Sequence, residues 1–167
     1  MIPVIAAFFG ESIVPESLVS TILDLVPFRP TNPYLILVYA VMLVYLPFGL
    51  SILYKAQITS GNVDNVNPRK QSEKLSATHP LYARLQGAEK NMQEGFLIFA
   101  PALLAAVQAG VPSDTVSLYA TFWLVSRVVY VFIYAVQFNQ ALGALRSMTF
   151  VFSLATTTKL MYLAAAM

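Results

Sequence analysis

The stretch "YARLQGAEKNMQEGFLIFAPALLAA", Tyr82 to Ala106, decides how this chain is read. Its first half carries Arg84, Asn91 and Glu94, and it runs into an apolar half with no turn between them. A soluble helix ends its polar face in water, and a purely structural membrane helix has no such face. This segment has both. At 1.5 Å per residue a helix from Leu81 to Gly110 is about 45 Å long, against a bilayer core of about 30 Å. Its first two turns are therefore expected to project from the membrane, with Glu94 near the boundary.

Composition points the same way. Of the 167 residues, 57% are hydrophobic and 11% charged, and the mean hydropathy is +0.67. Soluble domains carry about 25% charged residues, so this chain lacks the polar surface to cover a globule in water. The net charge of +2 is too small and too dispersed for nucleic acid. With no cysteine, disulfides, thiolate metal sites and a cysteine nucleophile are excluded. The single histidine, His79, has no carboxylates clustered around it in sequence, so no metal is expected.

Four segments are long enough to span, given the need for about 20 apolar residues. They are Pro33–Tyr54, a second that starts near Leu81 and is fully apolar from Gly95 to Val111, Asp114–Gln137, and Ala144–Ala166. The apolar runs are continuous rather than alternating and too long for barrel strands. The expectation is an all-α integral membrane four-helix bundle with antiparallel spans, occupying residues 33–167. Residues 1–32 form a separate N-terminal segment. Glu11, Glu16 and Asp24 interrupt it and no positive charge precedes Arg29, so it does not read as a signal peptide. "PESLVSTILDLV" reads instead as a short interfacial helix starting at Pro15 and Glu16.

Lys55, Arg69, Lys70, Lys74, Arg84 and Lys90 all fall between the first and second apolar runs. By the positive-inside rule that side is cytoplasmic. Both termini then lie on the opposite side, and the link from Asn139 to Arg146 is cytoplasmic. The first loop is punctuated by Asn, Gly and Pro and is expected to lack long regular structure. Within it "DNVNPRK" is either an ordered turn, capped by Asp and Asn side chains, or a solvated linker.

At about 100° per residue, Arg84, Gly87, Asn91 and Glu94 share an arc of about 80°. Arg127, Tyr130, Tyr134 and Gln137 repeat the same offsets on the third span. Arg127 lies roughly 20 Å in from Asp114, where a charge costs about 2.5–3.5 kcal/mol. It needs a partner, and Glu94 is the candidate. Such a pair could be pure architecture; Arg84 and Arg146 could be orientation charges, and the tyrosines belt residues. The convergence of three arginines, an amide, a carboxylate and two phenols favours a ligand. Guanidinium groups read carboxylates bidentately, and Glu94 with Asn91 suits an ammonium or amide. A small polyanionic, peptide-like cofactor fits, with a lipophilic second substrate.

The segment "RLQGAEKNMQE", Arg84 to Glu94, resembles the second-helix motif of the MAPEG family, membrane-associated proteins of eicosanoid and glutathione metabolism. "SRVVYVFIY" and "LRSMTF" look like its third-helix motif and fourth-helix start, and "DNVNPR" is similar to a turn of a less characterised bacterial and fungal branch. The resemblance implies a homotrimer with glutathione bound between subunits near the cytoplasmic face. Arg84, Asn91, Glu94, Arg127, Tyr130 and Tyr134 would contact glutathione, and Arg146, helped by Tyr134, would activate its thiol. The implied activity is a membrane glutathione transferase or peroxidase-like enzyme acting on a lipophilic electrophile. Its membrane would be the endoplasmic reticulum in a eukaryote or the inner membrane in a bacterium. Gly87 stands where several members have arginine, and Gly95 replaces a tyrosine of the leukotriene synthase branch. Tyr130 takes a position that is histidine in the prostaglandin synthase branch. The alternative is a non-catalytic, lipid-binding scaffold that presents hydrophobic ligands to a partner. A transporter with Glu94 and Arg127 as a coupling pair is disfavoured, because the spans show no internal repeat.

Overall fold

Proline and asparagine set the helix boundaries. Asn32 accepts the Tyr34 amide at 2.9 Å and Pro33 fills the first turn, where a missing N–H costs nothing. Asn139 caps the last helix the same way, accepting from the Leu142 amide at 2.9 Å. Pro80 forces His79 into extended backbone, φ −124° and ψ 96°, as prolines do to the residue before them. That break separates two helices that would otherwise run on as one. The computed structural model describes residues 14–26 and 30–167. Among them the helices are α1 (Glu16–Asp24), α2 (Pro33–Ile58), α3 (Pro68–Thr78), α4 (Pro80–Gln108), α5 (Ser113–Val136) and α6 (Gln140–Ala165), with no strand.

The interior helix is α5, which packs against α1, α2, α4 and α6. The most apolar stretch of α5 is 78% buried, against 28% for those of α2 and α6. Ile36 and Ala40 of α2 share a core with Phe99, Ala102, Leu103 and Ala106 of α4. Val44 instead clusters with Met92. The order is reversed between the two chains of residues, so α2 and α4 run antiparallel. Phe99 and Trp123 stack at the centre, rings 3.9 Å apart and 7° from parallel.

Three helices, α2, α5 and α6, are long and apolar enough to cross a membrane, where the sequence suggested four spans. The difference is α4. Its first half holds Arg84, Glu89, Lys90 and Glu94, and the run from Gly95 to Gln108 covers about 20 Å. The expected third span matches α5 to within a residue. The fourth begins one turn earlier than expected because Asn139 nucleates it, so Arg146 sits inside α6 rather than in a link. The short N-terminal helix forms as α1 and buries Val19 and Leu23 in the core. Residues 1–13 and 27–29 of that segment, Glu11 and Arg29 included, lie outside the described residues.

The first loop departs most from expectation, because it contains α3. The Asp64 carboxylate accepts the amides of Val66 and Asn67, at 2.9 and 2.8 Å, just ahead of Pro68. Gln71 reaches back, accepting the Asp64 amide at 3.0 Å and donating to the Asn62 carbonyl at 2.8 Å. These reciprocal bonds resemble a capping box, satisfying donors that a helix start leaves open. Ser72 and Ser76 then hydrogen-bond Tyr82 and Gln86, fastening α3 along the first turns of α4. "DNVNPRK" is thus an ordered turn. Asp64→Ala should cost about 0.5–2 kcal/mol of local stability. Amide exchange in detergent should show faster exchange at Val66, Asn67 and the first turns of α3, with α5 unchanged.

Candidate functional site

The α4–α5 seam is built around glycines. Gly87, Asn91 and Gly95 recur every fourth residue, so they line one stripe of α4. Gly87 faces the Tyr134 hydroxyl and Gly95 faces the Arg127 guanidinium. As α4 ascends from 87 to 95, α5 descends from 134 to 127, so these helices are antiparallel. A Cβ at Gly95 would lie 2.8 Å from Arg127 Cζ. Asn91, midway between the notches, accepts a hydrogen bond from Arg127 Nη1 at 3.1 Å.

Arg127 is 1% exposed. Its Cζ lies 5.4 Å from the ring centres of Trp123 and Tyr130 and 5.3 Å from that of Phe150. Each such contact contributes about 0.5–2 kcal/mol, more when desolvated. Its Nε has no hydrogen-bond partner. The expected ion pair with Glu94 does not form. Glu94 is exposed at the edge of the α4 stripe, about 60° round the helix from Asn91, and the amide of Asn91 takes the guanidinium instead.

A chain of contacts continues from Arg127 towards α6. Tyr130, 3% exposed, meets Tyr134 edge-on, with ring centres 5.6 Å apart. Arg146 lies over the other aromatic partner, its Cζ 4.6 Å from the Tyr134 ring centre. The charges of Arg146 and Arg127, and more weakly that of Glu94, act on Tyr130. Arg84 donates from Nε to the Ala135 carbonyl at 3.1 Å, tying down a carbonyl that the last turn of α5 leaves open. The structure therefore brings Asn91, Arg127, Tyr130, Tyr134 and Arg146 into one contiguous cluster. Arg84 joins through the α5 backbone, and Glu94 is near it but makes no hydrogen bond.

Sequence reasoning missed three components. Trp123 and Phe150 complete the aromatic box; their i, i+4 spacing from Arg127 and Arg146 is the signal that could have found them. The glycine notches left no signal, because their meaning depends on what α5 inserts. Lys55, read as an orientation charge in the loop, lies in the last turn of α2 and is only 7% exposed. The antiparallel packing of α2 places it at the end of α4 that carries Arg84.

Two cavities flank these helices. One of about 440 Å³ lies between α3 and α4, bordered by Ser76, Gln86, Gly87, Lys90 and Gln93. The other, about 620 Å³, is apolar and lies between α2 and α5, lined by Tyr39, Met42, Leu46, Leu124 and Val128. At about 100° per residue, its α5 residues face away from Arg127 and Tyr134, so it is separate from the cluster.

A sequence model of the MAPEG family matches residues 33–166. No curated protein and no solved structure matches the chain.

The geometry separates two partners that the sequence could not. Asn91→Ala removes the hydrogen-bond acceptor of a buried guanidinium and should cost about 1.5–3 kcal/mol, the range for bonds to charged groups. Glu94→Gln should leave stability unchanged. Thermal unfolding in detergent measures both; equal losses from the two variants would reinstate the Glu94–Arg127 pair.

Proposed function

The chain belongs to the MAPEG family, and from that premise we propose a membrane-bound glutathione transferase or peroxidase-like enzyme. With three apolar helices, it is an integral membrane protein. In this reading α4 also crosses the membrane, as the second of four spans, its polar half standing at the cytoplasmic surface beside the basic loop. Three copies assemble into a homotrimer that binds glutathione between subunits. The termini then lie on the non-cytoplasmic side, in the endoplasmic reticulum or a bacterial inner membrane.

The observation that carries the reading is Arg146. Its guanidinium rests on the Tyr134 ring with no carboxylate partner among the described residues. Positive charge is therefore available to an incoming anion. The residues suit an anionic, thiol-bearing peptide: Arg146 and Arg84 match carboxylate or thiolate, and the exposed Glu94 matches an ammonium. Glutathione supplies the thiol that adds to a lipophilic electrophile dissolved in the bilayer.

The roles of the chain's own residues follow from position. A free thiol has a pKa near 8.5 and is mostly protonated at neutral pH. Arg146, in surroundings of low dielectric constant, favours the deprotonated form, and the proton leaves to solvent. The Tyr134 ring carries that guanidinium on its face, and its hydroxyl, at Gly87, is a further donor of the cluster. Buried Arg127 and Tyr130 act from behind, with Asn91 aligning Arg127; Arg84 and Glu94 remain for the ends of the peptide. The apolar flanks of α2 and α6 give a lipophilic substrate direct access from the membrane.

Detergent-purified protein should bind glutathione and show the ultraviolet absorbance of its thiolate. Arg146→Ala should abolish the thiolate signal while retaining part of the binding. Binding without thiolate in the wild type would transfer the chain to the non-catalytic, lipid-presenting class. No binding at all would remove glutathione from the account.

A further inference from the structure

From the α4–α5 seam we infer that Gly87 is a positioning residue, a socket that seats the Tyr134 phenol and through it holds Arg146 in place. The evidence is geometric. A Cβ at position 87 would collide with the Tyr134 hydroxyl oxygen and lie 3.0 Å from its Cζ. The phenol therefore lies end-on against the α4 backbone at the one residue that leaves room. The face of that same ring carries the Arg146 guanidinium, 4.6 Å from the ring centre. A ring is rigid, so displacing its hydroxyl end swings the face on which Arg146 rests. The edge-on contact with Tyr130 blocks a compensating slide on one side.

Glycine is otherwise a poor choice here. It lies inside a helix with ordinary backbone angles, where it is less favourable than alanine. Neither a turn nor a positive φ requires it, so close approach by Tyr134 is the remaining physical reason. Gly95 repeats the arrangement two turns on, facing Arg127. Two notches eight residues apart receive two side chains seven residues apart on the antiparallel helix. The seam therefore has one register, and the cluster inherits it. The catalytic meaning of this socket rests on the role proposed for Arg146; the socket itself does not.

The experiment uses arginine reactivity and no glutathione. Phenylglyoxal modifies accessible guanidinium groups, and peptide mass spectrometry resolves the rate at Arg146. In the wild type the Tyr134 ring covers one face of Arg146, and its rate is the reference. Gly87→Ala should raise that rate several-fold. Adding Tyr134→Phe removes the colliding oxygen while keeping the ring, so the double variant should return towards the wild-type rate. Tyr134→Phe alone should stay close to wild type. An unchanged rate in Gly87→Ala, or a double variant as reactive as the single one, would overturn the inference. If Gly87→Ala does not fold, recovery of folding in the double variant supports the socket, and failure of both overturns it. Absence of glutathione binding in the earlier experiment leaves this measurement unaffected.

Discussion

A guanidinium buried in the middle of an apolar helix is the constraint around which the rest of this molecule is arranged. Arg127 sits in α5, the most enclosed of the long helices, and no carboxylate neutralises it. Leaving a charge at such depth costs about 2.5–3.5 kcal/mol on insertion scales. The compensation is distributed: one amide oxygen from Asn91, and the faces of Trp123, Tyr130 and Phe150. Electrostatic attraction to ring faces strengthens as water is excluded, which is why an aromatic box can do here what a carboxylate does elsewhere. The guanidinium also needs space, and Gly95 provides it.

Once Arg127 is seated, much of the neighbourhood follows. Asn91 and Gly95 fix α4 against α5, and Gly87 then meets Tyr134 two turns away. Arg84 holds the end of α5 through the Ala135 carbonyl. Arg146 and Phe150, four residues apart on α6, reach the two ends of the same cluster: one lies on Tyr134, the other on Arg127. Three helices thus meet through polar and aromatic side chains. In a bilayer this matters, because lipid tails compete equally for apolar surface and helices associate through close packing and hydrogen bonds.

The division of labour within the cluster has a chemical consequence. Arg127 is enclosed and already engaged, so its charge acts as a fixed background. Arg146 is half-buried and rests on a ring that neutralises none of its charge. A cation stacked on an aromatic face stays available to an anion, whereas one in a salt bridge does not. The α3 helix adds a separate structural layer. Asp64 and Gln71 give the first loop a defined shape, and Ser72 and Ser76 attach it to the polar half of α4.

The sequence by itself determined the class, the limits of the third span and the polar residues. Continuous apolar runs can only be helices in lipid, where every backbone group must be satisfied within the segment. The apolar run of the third span is bounded by the polar residues Asp114 and Gln137, which is why α5 was legible almost to the residue. The 3.6-residue period put Arg127, Tyr130 and Tyr134 on one face without reference to any neighbour. Partner choice was another matter. Periodicity made Glu94 look like the counter-ion of Arg127, yet rotation about the α4 axis gave that place to Asn91 and two glycines. The α3 helix was hidden for a related reason: its stability comes from Gln71 bonding back across the loop and from serines docking on α4, neither of which is a local propensity. Tertiary structure alone decided what fills a glycine notch, because a residue without a side chain carries no signal of its own. Its role is written by whatever approaches it.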